Sequence, residues 1–176
     1  MKNRKKSIIF GILLIIGGIT LSASYFVKPN QQAGETYEIR KVVDGDTIEI
    51  QRYGRTETVR LIGVDTPETV DPRKPVQCYG REAADYSKKL MTGKRVKLES
   101  DPLVGERDKY NRLLAYVWLD QNQLVNQMLV AGGYAHEYTY RSQVYKYQQQ
   151  FKDAQTSAKE NGVGLWASTG CKGKTK

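Results

Sequence analysis

Histidine is nearly missing from this sequence, with His136 the only one in 176 residues. A zinc site built on histidine ligands, a histidine general base and a Ser-His-Asp triad therefore all lack material. Cysteine is almost as scarce, with Cys78 and Cys171 alone, so soft metals are disfavoured. A bridge between these two, tying the C-terminal tail back to the domain, and two free thiols are equally consistent with the sequence. There is no internal repeat and no low-complexity tract. With 39% hydrophobic and 27% charged residues, disorder throughout is excluded.

Long uncharged runs are confined to one place. Residues Ser7 to Val27 carry no charge and follow Lys2, Arg4, Lys5 and Lys6. This is the pattern of a signal peptide or an N-terminal membrane anchor over 1–27. The run matches the roughly 20 residues that a spanning helix needs, and Ser22, Ala23 and Ser24 offer small residues to a signal peptidase. Either way the basic flank favours a cytoplasmic N-terminus, so the remainder is expected to be secreted or held at the extracellular face of the membrane. The formal charge of +9 falls once the four leading basic residues are set aside; the 24 basic against 19 acidic that remain give +5. That balance draws a polyanion without proving one.

Polar residues at 28–36, including Pro29 and Gly34, read as a linker. A folded domain is expected over 37–168 and a basic C-terminal tail over 169–176, mobile after Cys171. Branched residues alternate with polar ones over Tyr37–Val43, Thr47–Arg52 and Thr56–Val64, around glycine turns, which predicts a three-stranded meander. Three prolines between Asp65 and Cys78 predict a loop. Helical spacing follows over Tyr79–Met91, then strands over Arg95–Ser100 and Leu113–Leu119 flank a polar loop. Helices are predicted at Leu124–Val130 and Val144–Glu160, and Leu165 and Trp166 are expected to fold back onto the core. Five short strands with one helix after the third and others at the end is the order of an OB-type barrel, one option among several α+β folds.

Two acidic clusters carry chemistry when read together. Asp44-Gly45-Asp46-Thr47 and Asp65-Thr66-Pro67-Glu68-Thr69 are each an ordinary turn or strand exit taken singly. In a meander, the start of the second strand and the end of the third meet at one end of the sheet, which brings Asp46 and Asp65 close. Two carboxylates with a backbone carbonyl form a hard-oxygen site for Ca²⁺ or Mg²⁺. A carboxylate must then serve as base in any hydrolysis, and Glu68 lies beside the proposed ligands. Arginine suits a phosphoryl transition state because it stays charged and grips two oxygens at once. Arg60 precedes Asp65 on one predicted strand, and Arg112 closes Asp108-Lys109-Tyr110-Asn111-Arg112 before another.

The strings Val43–Thr47, Arg60–Thr69, Tyr79-Gly80-Arg81-Glu82-Ala83 and Asp108–Arg112 resemble the staphylococcal nuclease, or thermonuclease, family. The likeness runs in register from about Val42 to Tyr140 and less firmly on to Trp166. It implies an α+β fold, a five-stranded OB barrel with about three helices. Asp46 and Asp65 match the family's calcium-binding carboxylates, and Thr66 matches the residue that offers its backbone carbonyl. Glu68 matches the general base, while Arg60 and Arg112 match the catalytic arginines. Lys109, Tyr110, Tyr138 and Tyr140 match positions that hold the nucleotide. The activity implied is calcium-dependent hydrolysis of DNA and RNA with little sequence specificity, leaving 3′-phosphates, by a monomer. Asn111 departs from the family's usual glycine before the second arginine. A non-catalytic OB module binding nucleic acid on the cell surface is the alternative, against which every matched catalytic position is filled.

Overall fold

Alternation of branched and polar residues decides the first strands. In β1 (Thr36–Asp44), β2 (Thr47–Arg52) and β3 (Arg55–Leu61), Ile39, Ile48, Ile50, Val59 and Leu61 point inward and are buried, as the two-residue period of a strand requires. A computed structural model describes residues 35–69, 75–120 and 122–175. The expected export segment 1–27 and linker residues 28–34 lie outside them. Among the described residues no helix is long and apolar enough to cross a membrane. β1 starts at Thr36, one residue inside the expected linker.

The meander is present: β1 pairs antiparallel with β2, and β2 with β3. After β4 (Val64–Asp65) and α1 (Gly80–Met91) come β5 (Arg95–Glu99) and β6 (Leu113–Trp118). β5 pairs antiparallel with β1 and with β6, and β6 runs parallel to β3. The result is a closed barrel in the order β1-β2-β3-β6-β5, the OB arrangement. α2 (Val125–Ala131), β7 (His136–Glu137) and α3 (Gln148–Glu160) complete the α+β fold. Inside α2, the buried Asn126 accepts from Val117 N–H at 2.9 Å and donates to Ile62 O at 2.8 Å. That amide ties the end of β3 to β6, because an unpaired buried amide would be costly.

Three sequence expectations change. The predicted strand Thr56–Val64 breaks after Leu61, because Gly63 takes a left-handed φ of 73° and turns the chain so that β4 pairs with β7 instead of the barrel. The helix expected from Val144 starts at Gln148. Residues 145 and 146 are spent on tertiary bonds: Tyr145 donates to Glu137 at 2.8 Å, and the Lys146 N–H donates to Asp101 at 2.7 Å. The tail expected to be mobile is stitched down, with Gly173 N–H donating to Leu165 O at 2.7 Å and Cys171 bonded to Cys78.

Candidate active site

The hairpin turn between β1 and β2 carries the first acidic cluster, and its glycine is needed for close approach. A Cβ on Gly45 would lie 2.6 Å from the Thr66 side chain. On the other side, Ser87 of α1 donates to Gly45 O at 2.6 Å. The turn is thus clamped between α1 and the segment after β4, and the two acidic clusters meet there. Asp46 is buried, accepting from Thr66 N–H at 2.9 Å and from the Thr66 hydroxyl at 3.1 Å.

Arg60 joins the carboxylates. One guanidinium nitrogen, Nη2, lies 3.1 Å from Asp46 Oδ2 and 3.3 Å from Asp65 Oδ1. Its other nitrogen donates to Leu61 O and Val64 O at 3.0 and 2.6 Å, bracketing the break between β3 and β4. Asp44 lies behind, accepting from Gly45 N–H at 2.8 Å and from the Thr69 hydroxyl at 2.7 Å. Burial pushes its carboxyl up to about 6, with those two bonds opposing and the charges of Asp46 and Glu68 adding to the rise. Asp65 also titrates above the ordinary carboxylate value. Although 54% of its side chain is open, the surrounding protein desolvates it first, and Asp46 and Glu68 repel its charge against the pull of Arg60. This concentration of negative charge suits a cation.

Arg112 comes from the segment before β6. Its Nε and Nη2 both lie 2.7 Å from Asp108 Oδ2, while its own N–H donates to Asp108 Oδ1 at 3.0 Å. Asn111 stands in the left-handed region with φ 64°, where asparagine is among the few non-glycine residues tolerated. The departure from glycine therefore leaves the turn intact. Arg60 and Arg112 line one cleft of about 530 Å³, together with Asp65, Lys109, Tyr110, Tyr138 and Tyr140. The Lys109 ammonium lies 4.9 Å and the Arg112 guanidinium 5.4 Å from the Tyr110 ring centre. Tyr138 and Tyr140 are open to solvent, their ring centres 6.4 Å apart. Asp46 and Thr66 lie buried behind Arg60 and do not line the cleft, and neither does the half-buried Glu68.

Residues 58–168 match the family described as staphylococcal nuclease homologue. The chain belongs to the staphylococcal nuclease family. Within that family, the thermonuclease of Staphylococcus hyicus is 38% identical over 172 residues, 93% of this chain and 99% of the relative. The thermonuclease of Staphylococcus intermedius is 45% identical over 155 residues, covering 88% of this chain and 90% of its own length. An endonuclease of Bacillus subtilis is 36% identical over 141 residues, 80% of this chain and 66% of the relative.

Sequence reasoning quoted Asp108 without a role, although its spacing to Arg112 fits an ion pair across a tight turn. It overlooked Gln77, whose side chain accepts from Glu68 N–H at 2.8 Å. No local pattern marks that contact, because the partners stand nine residues apart, both outside any strand or helix, with no periodicity to relate them. Cys78 and Cys171, left open as bridge or free thiols, form a disulfide with Cα atoms 5.8 Å apart.

Proposed function

We propose that this chain is an exported, calcium-dependent nuclease that hydrolyses DNA and RNA with little sequence preference and leaves 3′-phosphates. The observation that carries the reading is Arg60 Nη2 shared by Asp46 and Asp65 at the wall of a cleft that Arg112 also lines. Phosphate chemistry needs hard-oxygen ligands and fixed positive charge side by side, and here they are neighbours.

The residues fit a hard cation by the chemistry of their donors. Asp46 and Asp65 offer carboxylate oxygens that already converge on one positively charged nitrogen, and Thr66 adds its backbone carbonyl. Among the described residues no three His, Cys, Asp or Glu side chains form a ready cage, so water completes the shell. When bound, calcium supplies positive charge that polarises the phosphate and favours ionisation of water. Glu68 accepts the proton of the attacking water. Arg60 and Arg112 stabilise the added negative charge of five-coordinate phosphorus, a charge absent from the ground state. The 5′ P–O bond breaks, the departing oxygen takes a proton from solvent water and leaves as a hydroxyl, and the phosphate stays on the 3′ side. Lys109, Tyr110, Tyr138 and Tyr140, which line the same cleft, hold the nucleotide's phosphates and sugar. None of these contacts reads a base edge, in keeping with low sequence preference.

Export rests on the basic flank and apolar run before Lys28. The protein acts outside the cell, released or membrane-tethered, as a monomer. Hydrolysis of single-stranded DNA by the purified protein, with Ca²⁺ and with excess chelator, tests the reading. Cleavage that appears with Ca²⁺ and stops with chelator is expected. Salt-sensitive binding without turnover would instead assign the chain to non-catalytic OB modules.

A further inference from the structure

We propose that Gln77 is the positioning residue for Glu68, and that the Cys78–Cys171 bridge in turn holds Gln77 in place. The inference rests on the nuclease reading above, in which Glu68 is the base. Glu68 lies outside every strand and helix, so no ladder fixes its backbone. Gln77 does so instead. Its side-chain oxygen accepts from Glu68 N–H at 2.8 Å, and its own N–H donates to Glu68 O at 3.0 Å. Both backbone polar groups of Glu68 are thereby satisfied by one residue. The start of α1 closes the same joint: Gly80 N–H donates to Gln77 O at 2.9 Å. A Cβ on Gly80 would come within 3.2 Å of Glu68 O and 2.8 Å of the Thr69 methyl, so α1 seats directly on this segment.

The next residue is fastened to the far end of the chain twice. Cys78 is bonded to Cys171, and its N–H donates to Thr175 O at 3.2 Å. The tail is anchored in turn, because Gly173 N–H donates to the carbonyl of the fully buried Leu165, whose N–H donates to Gly133 O at 2.9 Å. A continuous run of bonds therefore leads from the core through Leu165, the tail, Cys78 and Gln77 to Glu68. Glutamate has three rotatable side-chain bonds, so its carboxylate can be aimed reproducibly only if its backbone is fixed. A misplacement of about 1 Å costs on the order of a hundredfold in rate.

The test uses the full-length chain, single-stranded DNA and saturating Ca²⁺. Gln77→Leu, which removes the acceptor, lowers kcat about tenfold or more with KM within about twofold. Gln77→Glu keeps an oxygen in place and recovers most of the loss. Cys171→Ser lowers kcat several-fold, and reduced wild-type protein matches it. In metal-free protein, hydrogen exchange at the Glu68 amide quickens in Gln77→Leu and Cys171→Ser, while amides of β2 keep their protection. If Gln77→Leu proves unfolded at the assay temperature, Cys171→Ser decides, since it frees Cys78 from the bridge without substituting any residue between Pro67 and Gly80.

Wild-type kcat and wild-type Glu68 exchange in these variants would overturn the proposal. So would a Gln77→Glu protein as damaged as Gln77→Leu, or a loss confined to KM. Wild-type protein that cuts no DNA would defeat the nuclease reading itself, and the Glu68 exchange rate would then decide alone whether Gln77 holds that segment.

Discussion

Arg60 and Arg112 face one cleft, yet their supports differ. Arg60 is committed to two backbone carbonyls and two carboxylates, so its removal would leave the buried Asp46 without its cationic partner. Such a loss destabilises by about 3–5 kcal/mol and would confuse any measurement of catalysis. Arg112 pairs with one carboxylate, Asp108, and lies over the Tyr110 ring, and is the cleaner probe. Arg112→Ala is expected to lower kcat about 10²–10³-fold while its thermal midpoint stays near wild type. Glu68→Gln, which keeps shape and removes the proposed base, is expected to lower kcat by about 10²–10⁴ with the fold retained. Steady-state kinetics paired with thermal melts checks both, and near-wild-type turnover in either variant would strip that residue of its role.

Gly63 determines where the site sits relative to the barrel. Its left-handed turn ends β3 and sends Val64 and Asp65 across to β7, which carries Asp65 back over Arg60. A Cβ at this position would meet the Tyr145 ring at 2.7 Å and the Phe151 ring at 2.8 Å. The left-handed backbone adds about 1–2 kcal/mol for any other residue, and overpacking adds about 1–3. Gly63→Ala should therefore lower unfolding stability by about 2 kcal/mol or more, read as a drop in urea midpoint at unchanged slope. An unchanged midpoint would mean the turn is not needed. This element also marks the limit of what sequence could tell. The barrel strands were legible because branched residues alternate with polar ones, and the acidic clusters because a meander brings its ends together. The break at Gly63 was not, since a glycine within a strand pattern reads equally as a bulge. The start of α3 was hidden for a different reason: Tyr145 and Lys146 satisfy helical spacing but are held by Glu137 and Asp101. Gln77 was invisible because it bonds to backbone nine residues back, outside any strand or helix, where no periodicity marks a partner.

Asp101 couples the barrel to the chain leading into α3 and contributes to the whole molecule's response to acid. It is 1% exposed and accepts from Tyr116 OH at 2.6 Å, Lys146 N–H at 2.7 Å and Leu103 N–H at 2.9 Å. Burial alone would raise its carboxyl, but the bonds from Lys146, Tyr116 and Leu103 outweigh it and hold the folded value below the ordinary range. A depressed folded value means stability that is present above about pH 4, where the unfolded chain ionises, and that is lost as pH falls through the folded value. Asp101→Asn should lower stability at pH 7 by about 1–3 kcal/mol. The gap from wild type should narrow towards pH 3, as urea unfolding at both values would reveal. A gap of equal size at both would disprove the linkage.

The parallel pairing of β3 with β6 also sets an order of assembly. Asp46, Arg60 and Asp65 belong to the first half of the chain, while Arg112 precedes the strand that closes the barrel. The acidic cluster is therefore complete early in the chain, but β3 has no neighbour on its far side until β6 follows. Such distant pairings are slow to form, because the loop between them must be ordered before any contact rewards it. The cleft cannot take shape until β6 has paired, and the bridge from Cys78 must wait for Cys171, later still in the chain. A chain built in this order gains its two-arginine cleft only when its second half has closed onto its first.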